Sequence, residues 1–508
     1  MTNTRRETST IGNEVFFGLV GAVGTELEKV SAALDRSLAR FAYTSSKIRL
    51  AALLRDLPKY KSLPTRFIDE YIDSHMTAGD EFRRIMESDD AVAILGVGAI
   101  KDVRLGSGSP TEGLPNRAFI LRSLKNPAEV NSLRQIYGSS FYLIAAYSPL
   151  SSRRTHLAVR IAKSRNEFPY DRHFPVTDRL ILRDQEEIDT PHGQNTRDCF
   201  HRADVFVDMA STDKLNSSID RFLELVFGNT FRTPTRDEFA MFHAQAAALR
   251  SAELGRQVGA AIATRDGDIV AVGCNEVPKA GGGLYWCDDD PDRREFQEGS
   301  DTNDEQKRSL IAETLKNLQK AGWLAKRQAS LPIDELLREA LDPKSPALPK
   351  DSKIRHLIEF GRAVHAEMAA ISDAARRGVS IANCTMYVTT FPCHLCARHI
   401  VAAGITKLIY VEPYAKSLTA ELYPDSVSVD EGSATGKYVP FLPFVGVAPR
   451  QYMNLFSMGK RKNADGSAFL FSPKAARLRY FEVSSIYLEN EVKSFKNLSD
   501  KMKLKRIF

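Results

Sequence analysis

The chain has 508 residues, 43% of them hydrophobic and 26% charged, with a formal net charge of +6. That length is too great for one ordinary core and predicts two or three domains, each burying an apolar face of its own. The small, dispersed charge argues only weakly for anionic small molecules or nucleic acid, and six cysteines in so long a chain exclude a disulfide scaffold.

The start, MTNTRRETSTIGNE, is polar, and no apolar run approaches the ~20 residues that a membrane span requires, so a cytoplasmic protein is expected. Asn13 to Gly24, NEVFFGLVGAVG, is an apolar run ending in glycines, and a helical pattern follows from Thr25 to about Phe41. Strand, glycine turn and helix start form the layout of a phosphate-binding loop, with Gly18, Gly21, Gly24 and Thr25 as its candidate residues. A working loop, G-x-x-x-x-G-K-[ST], needs a lysine for the terminal phosphates and a hydroxyl for Mg²⁺. Counted from Gly21, those positions fall on Glu26, Leu27 and Glu28. The reading is a degenerate loop that has lost phosphoryl transfer, its glycines serving a tight strand-to-helix turn.

Strands are predicted at Arg117–Leu124, Phe141–Tyr147, Arg179–Leu182 and Asp204–Asp208, separated by helical patterns at Pro127–Tyr137, Ser152–Lys163, about Asn195–His201 and Lys214–Phe227. Such alternation predicts a parallel sheet covered by helices. Arg153, Arg154, Arg160 and Lys163 on one helix read as a lid or as a solvated face.

The polar connector GNTFRTPTRDE separates a first domain, residues 1–230, from a second, residues 235–508. The second opens with a helix, Asp237–Leu254, and a hairpin, Gln257–Ala263 and Asp268–Val272, about Arg265-Asp266-Gly267. Asn275, beside the glycines at 281–283, could bond a sugar or base or belong to a plain loop. An acidic stretch from Asp288 to Asp304 predicts an exposed loop. Helical spacing from Leu310 to Leu324 and at Pro332–Ala340 completes an insertion at about 286–355 in which no chemistry is visible. Val439–Phe456 is expected to close the second domain's core or a subunit interface, and the last residues, from Glu491, form a basic, solvated tail.

Chemistry concentrates between Gly361 and Tyr414. His365-Ala366-Glu367 and Pro392-Cys393-His394-Leu395-Cys396 fit the H-x-E…P-C-x-x-C pattern of zinc-dependent base deaminases. A catalytic zinc takes three protein ligands and keeps one position for water. His365, Cys393 and Cys396 supply the three. Pro392 suits a first helical position, which puts Cys393 and Cys396 on one face of a helix start, where the dipole favours thiolates. Residues two apart on a helix diverge, so His365 and Glu367 share a site only at its first turn. Glu367 is then the proton shuttle. His394 and His399 read as packing or surface residues, and the other four cysteines as buried small apolar groups.

With Val258-Gly259-Ala260, the Gly273–Pro278 loop, HAE at 365–367, TTFPCHLC at 389–396 and IYVEPY at 409–414, the chain resembles the deoxycytidylate deaminase branch of the cytidine deaminase-like superfamily. As a whole, with a P-loop kinase-like region ahead of that domain, it resembles the bacterial anti-phage dCTP/dCMP deaminases. The likeness is strong over about residues 236–275 and 361–455. Elsewhere it rests on layout and on GLVGAVGT and RDQEEIDTPHGQNTRD. It implies an α/β fold, with an N-terminal P-loop NTPase-like parallel sheet covered by helices and a C-terminal cytidine deaminase-like α/β/α layered domain. It further implies Zn²⁺ on His365, Cys393 and Cys396, Glu367 as shuttle, Asn275 against substrate, and a homo-oligomer. Arg256, Lys279 and Lys416 are candidate phosphate contacts by charge and location. The implied reaction converts free dCMP or dCTP to the uracil nucleotide with release of ammonia, draining dCTP under phage attack. Two alternatives stay open. Action on a base in RNA or DNA is disfavoured by the modest charge and the lack of a basic stripe interleaved with aromatics; a nucleotide sensor or kinase is disfavoured by the missing lysine.

Overall fold

The computed structural model describes residues 14–108, 112–185, 192–342, 347–349, 352–414, 417–429, 437–457 and 459–505. The chain divides into two compact units, one formed by Met1–Glu238 with Phe444–Phe508 and the other by Phe239–Pro443. The described strands are β1 (Glu14–Val20), β2 (Thr44–Arg49), β3 (Arg117–Arg122), β4 (Phe141–Tyr147), β5 (Val205–Asp208), β6 (Gly259–Ala263), β7 (Ile269–Cys274), β8 (Thr385–Thr390), β9 (Lys407–Glu412), β10 (Val427–Val429), β11 (Val439–Pro443) and β12 (Gly446–Val447).

The first unit carries a sheet of order β12-β5-β4-β1-β3-β2, parallel except for β12, which runs against β5. β1 is buried at every position, as the apolar run EVFFGLV requires of a strand covered on both faces. The helix Pro127–Tyr137 starts where its sequence dictates: Asn126 accepts from the Ala128 amide at 2.9 Å, Glu129 closes a capping box and proline opens the first turn. After β1 the chain turns into the helix Leu27–Ala39. Gly24 has φ +92, and a Cβ there would lie 2.6 Å from the Arg153 carbonyl oxygen, so that turn requires glycine.

Three expectations for this unit are corrected, and one strand was not foreseen. β2, TSSKIR, buries only Ile48 and, as a polar edge strand, gives no apolar signal. Arg179–Leu182 is not a strand but part of the helix Phe174–Gln185, where Thr177, Leu180, Ile181 and Asp184 form the buried face; so short an apolar run does not discriminate helix from strand. The carboxyl-terminal stretch belongs to this unit and not to the second domain, and its end is not a solvated tail. The helix Ser484–Leu504 buries Tyr487 and Glu491. Arg104, 0% exposed, lies 2.8 Å from Glu14 Oε2 and 2.9 Å from Glu491 Oε1, and the Tyr487 hydroxyl donates to Glu14 at 2.8 Å. The many lysines of this helix mask that buried face in the sequence.

The second unit carries a sheet of order β10-β11-β9-β8-β6-β7. β8, β9, β11 and β10 run parallel, and β6 runs against both of its neighbours. The hairpin β6–β7 turns at Gly267, φ +101. Ala260, Ile262, Met386, Val388, Leu408 and Phe441 are part of its core. The helix Ala366–Arg376 lies close on β7, since a Cβ on Gly273 would fall 2.4 Å from both the Ala366 oxygen and the Ala370 nitrogen. β11 lies between β9 and β10 in this sheet, whereas Phe444–Phe456 belongs to the first unit, so of Val439–Phe456 only the first residues join the second unit's sheet. The insertion contains the helices Thr302–Lys320 and Ile333–Ala340. Among the described residues no helix is long and apolar enough to cross a membrane.

Candidate active site

His365 is the N-cap of the helix Ala366–Arg376, and Cys393 is the N-cap of the helix His394–Ala402; both have extended backbone. Glu367 and Cys396 therefore sit in first turns, which meets the geometric condition that two residues of an H-x-E motif share a site. Pro392 lies just outside its helix instead of at the first position. His365 Nδ1 is 3.3 Å from Cys393 Sγ and 3.4 Å from Cys396 Sγ, and the three ligand atoms lie within 4.8 Å of one another. Ligands about 2.0 and 2.3 Å from a tetrahedral zinc stand roughly 3.5 Å apart, so the cluster fits that ion. Neither His394 nor His399 joins it.

The cluster's electrostatics follow from burial and proximity. Glu367 is 4% exposed, and burial lifts its carboxyl to about 7 against the pull of His365. The hydrogen bond with Cys393 raises His365 to about 9. Cys393 is drawn down to about 4, first by its hydrogen bond with Cys396 and also by His365. The same bond, then burial, then the Glu367 charge push Cys396 upward. A thiolate, a thiol and an imidazolium packed this closely hold protons that a divalent cation displaces on binding.

His365, Glu367 and Cys393 open onto a cavity of about 250 Å³ that Asn275, Arg256 and Thr390 also line. Asn275 Oδ1 accepts from the Val258 amide at 2.7 Å and its Nδ2 donates to the Arg256 carbonyl at 2.8 Å, so its amide braces the rim. Arg256 pairs with Glu412 at 2.8 Å. Lys279 is tied to Asp289 at 2.6 Å and is not on the cavity wall. Lys416 lies outside the described residues. In the first unit, Gly18 sits inside β1, where a Cβ would come 2.7 Å from Leu124 Cδ1, so close packing accounts for it. Gly21, Gly24 and Thr25 line a separate cavity of that unit.

Sequence reasoning missed two contributions. Arg362, three residues before His365, lines the cavity and stands 3.4 Å from Glu295; its place just ahead of HAE was the available signal. The insertion, expected to carry no chemistry, supplies Glu295, Asp301 and Asn303 to the wall. Asn303 donates to the Leu357 carbonyl at 3.1 Å and accepts from the Phe360 amide at 3.3 Å, tying the insertion to the segment that leads into His365. Glu295, in the acidic stretch read as exposed, is 3% exposed because its carboxylate accepts the Thr302 amide at 2.6 Å.

Residues 234–412 match the family model described as the cytidine and deoxycytidylate deaminase zinc-binding region. A deoxycytidylate deaminase of Enterobacteria phage T2 is 54% identical over 54 residues, 11% of this chain and 29% of that protein. One from Pongo abelii is 25% identical over 174 residues, 34% of this chain and 63% of that protein. The chain thus spans 29% of the length of the phage relative it matches. Among solved structures, a dCMP deaminase from the cyanophage S-TIM5 aligns with 41% of this chain and 99% of its own at 18% identity, with a TM-score of 0.21.

Proposed function

We propose that the protein is a zinc-dependent hydrolase that deaminates a free deoxycytidine nucleotide, dCMP or dCTP, to the uracil nucleotide and ammonia. The observation that carries this reading is a buried carboxylate, Glu367, beside a His/Cys/Cys cluster in one cavity. Zinc held by His365, Cys393 and Cys396 would supply the Lewis acid that activates water near neutral pH. Glu367, its carboxyl near 7, is matched to taking and giving a proton at that pH. It takes one proton of the attacking water and delivers it to the ring nitrogen as the C4–O bond forms, then takes the second from the hydroxyl now on C4 and gives it to the amine, so that the C4 carbonyl forms, the C4–N bond breaks and ammonia leaves. Arg256 and Arg362 are the phosphate contacts we favour, because both line the cavity, and Asn275 holds the rim against which the sugar rests.

The first unit is read as a P-loop NTPase-like domain with a degenerate loop, and the working protein as a cytoplasmic homo-oligomer. The first reading rests on the layout of strand, glycine turn and helix start together with resemblance; the homo-oligomer rests on resemblance alone, as does the role of draining dCTP during phage attack. The test is direct. Zinc-loaded protein is incubated separately with deoxycytidine, dCMP, dCTP and CTP, and uracil products are measured alongside bound zinc. Turnover of dCMP or dCTP is expected. Editing of a cytosine in an oligonucleotide with no turnover of any free nucleotide removes the reading.

A further inference from the structure

Arg362 lies in the segment that leads from the insertion to His365, and its backbone is pinned on both sides. Ahead of it, Asn303 donates to the Leu357 carbonyl at 3.1 Å and accepts from the Phe360 amide at 3.3 Å. Behind it, Val364 and Glu276 exchange backbone hydrogen bonds at 3.0 and 3.2 Å. Two atoms of the insertion then set the direction of the side chain. Glu295 Oε2 stands 3.4 Å from one terminal nitrogen, and the Arg293 carbonyl accepts from the other at 3.1 Å.

Glu295 is itself fixed. It is 3% exposed, and its Oε1 accepts the amide of Thr302 at 2.6 Å, the first residue of the helix Thr302–Lys320. The short bond of this carboxylate thus goes to an amide, whereas its contact with Arg362 is longer than the ~2.7–2.9 Å of a charge-assisted bond. Of the five N–H donors of a guanidinium, the contacts with Glu295 and Arg293 engage two. The Arg362 side chain keeps 32% of its surface exposed, on the cavity that His365, Glu367 and Cys393 also line. That cavity sets the guanidinium groups of Arg256 and Arg362 against the carboxyl groups of Glu253, Glu295, Asp301 and Glu367. Burial, then the Asp301 and Glu295 charges, hold the Glu253 carboxyl above its usual range. Where the guanidinium groups are held therefore decides where an anion can approach.

We propose that Glu295 is a positioning residue: it aims Arg362 at the phosphate of the nucleotide, and through that contact the insertion makes a phosphate a requirement of the substrate. This role presupposes the nucleotide deaminase site proposed for the cavity. Glu295 is not part of the zinc cluster, and as an anion it acts on the phosphate only through the guanidinium it holds.

The test measures kcat and KM of the zinc-loaded full chain for deoxycytidine and for whichever of dCMP and dCTP it turns over faster, beside Glu295→Gln, Arg362→Gln and the double variant. Glutamine keeps an oxygen for the Thr302 amide and removes the charge beside Arg362. In Glu295→Gln the nucleotide KM should rise at least tenfold, with kcat and the kcat/KM for deoxycytidine within threefold of wild type and bound zinc unchanged. The double variant should be no more than threefold worse than Arg362→Gln alone, because no guanidinium is left to aim. An unmoved nucleotide KM overturns the proposal, as do additive effects in the double variant. So does a joint fall of kcat, bound zinc and activity on both substrates, which is the mark of a merely structural carboxylate. A wild-type preference for deoxycytidine, or no turnover of either substrate, sinks the reading of the cavity and this role with it, whereas the preceding results overturn this role alone. Should Glu295→Gln fail to fold, Thr302→Pro removes the amide that Glu295 accepts, at a first helical position that suits proline. It should raise the nucleotide KM and leave deoxycytidine unmoved, and equal effects on both overturn the proposal.

Discussion

Replacing Glu367 by glutamine separates the proton shuttle from the metal cluster, because the carboxylate is not one of the three ligand atoms. Two effects follow from its burial. Loss of a general acid/base lowers turnover by about 10²–10⁴-fold. In zinc-free protein the substitution also removes a charge that the fold resists. Burial carries this carboxyl from 4.5 to about 7, and at about 1.36 kcal/mol per pH unit ionising it inside the fold costs roughly 3 kcal/mol. Its folded value lies above its unfolded value, so the folded state holds the proton more tightly. The penalty is absent below 4.5, grows as pH rises toward 7 and is complete above that. Urea denaturation of the zinc-free proteins should therefore find them equally stable near pH 4 and the glutamine variant more stable at pH 8, by up to roughly 3 kcal/mol. Zinc stoichiometry should stay at the wild-type value. Turnover within tenfold of wild type, or superimposable stability profiles, refutes the reasoning.

Cys396→Ala should abolish tight zinc binding and with it deamination, measured by metal analysis after dialysis; full zinc occupancy in the variant counts against a three-residue site. Gly273→Ala should push the helix bearing His365 and Glu367 off β7, because its Cβ would meet backbone atoms at 2.4 Å; a loss of at least tenfold in both zinc affinity and turnover is expected, and unchanged values contradict the close packing. Glu491→Ala leaves Arg104 buried with one carboxylate fewer and should destabilise the first unit by about 3–5 kcal/mol in chemical denaturation, while a change below about 1 kcal/mol disproves the buried pairing.

The zinc cluster was legible because its chemistry fixes residue type and spacing together. His365 and Glu367 are two apart, and Cys393 and Cys396 three apart, at two helix starts. Buried strands such as β1 and β4 were legible as apolar runs. What escaped has a common physical cause, in that composition reports exposure only where no specific partner overrides it. Glu295 sits in an acidic stretch yet is buried by an amide it accepts, and Glu491 sits among lysines yet is buried by Arg104. Lys279 looked free for a phosphate, but a neighbouring aspartate holds it. Partners distant in sequence, such as Arg104 and Glu491, leave no local periodicity to read.

The way the chain is divided sets an order in time. All of the unit that carries the zinc cluster, Phe239–Pro443, lies between the two parts of the other unit, and synthesis delivers residues from the amino terminus onward. The cavity around Glu367 has every residue it needs once Pro443 has emerged, while Arg104 still waits for Glu491. A chain interrupted between those points would hold every residue of the zinc cluster and of its cavity, yet would lack the helix whose Glu491 pairs with Arg104.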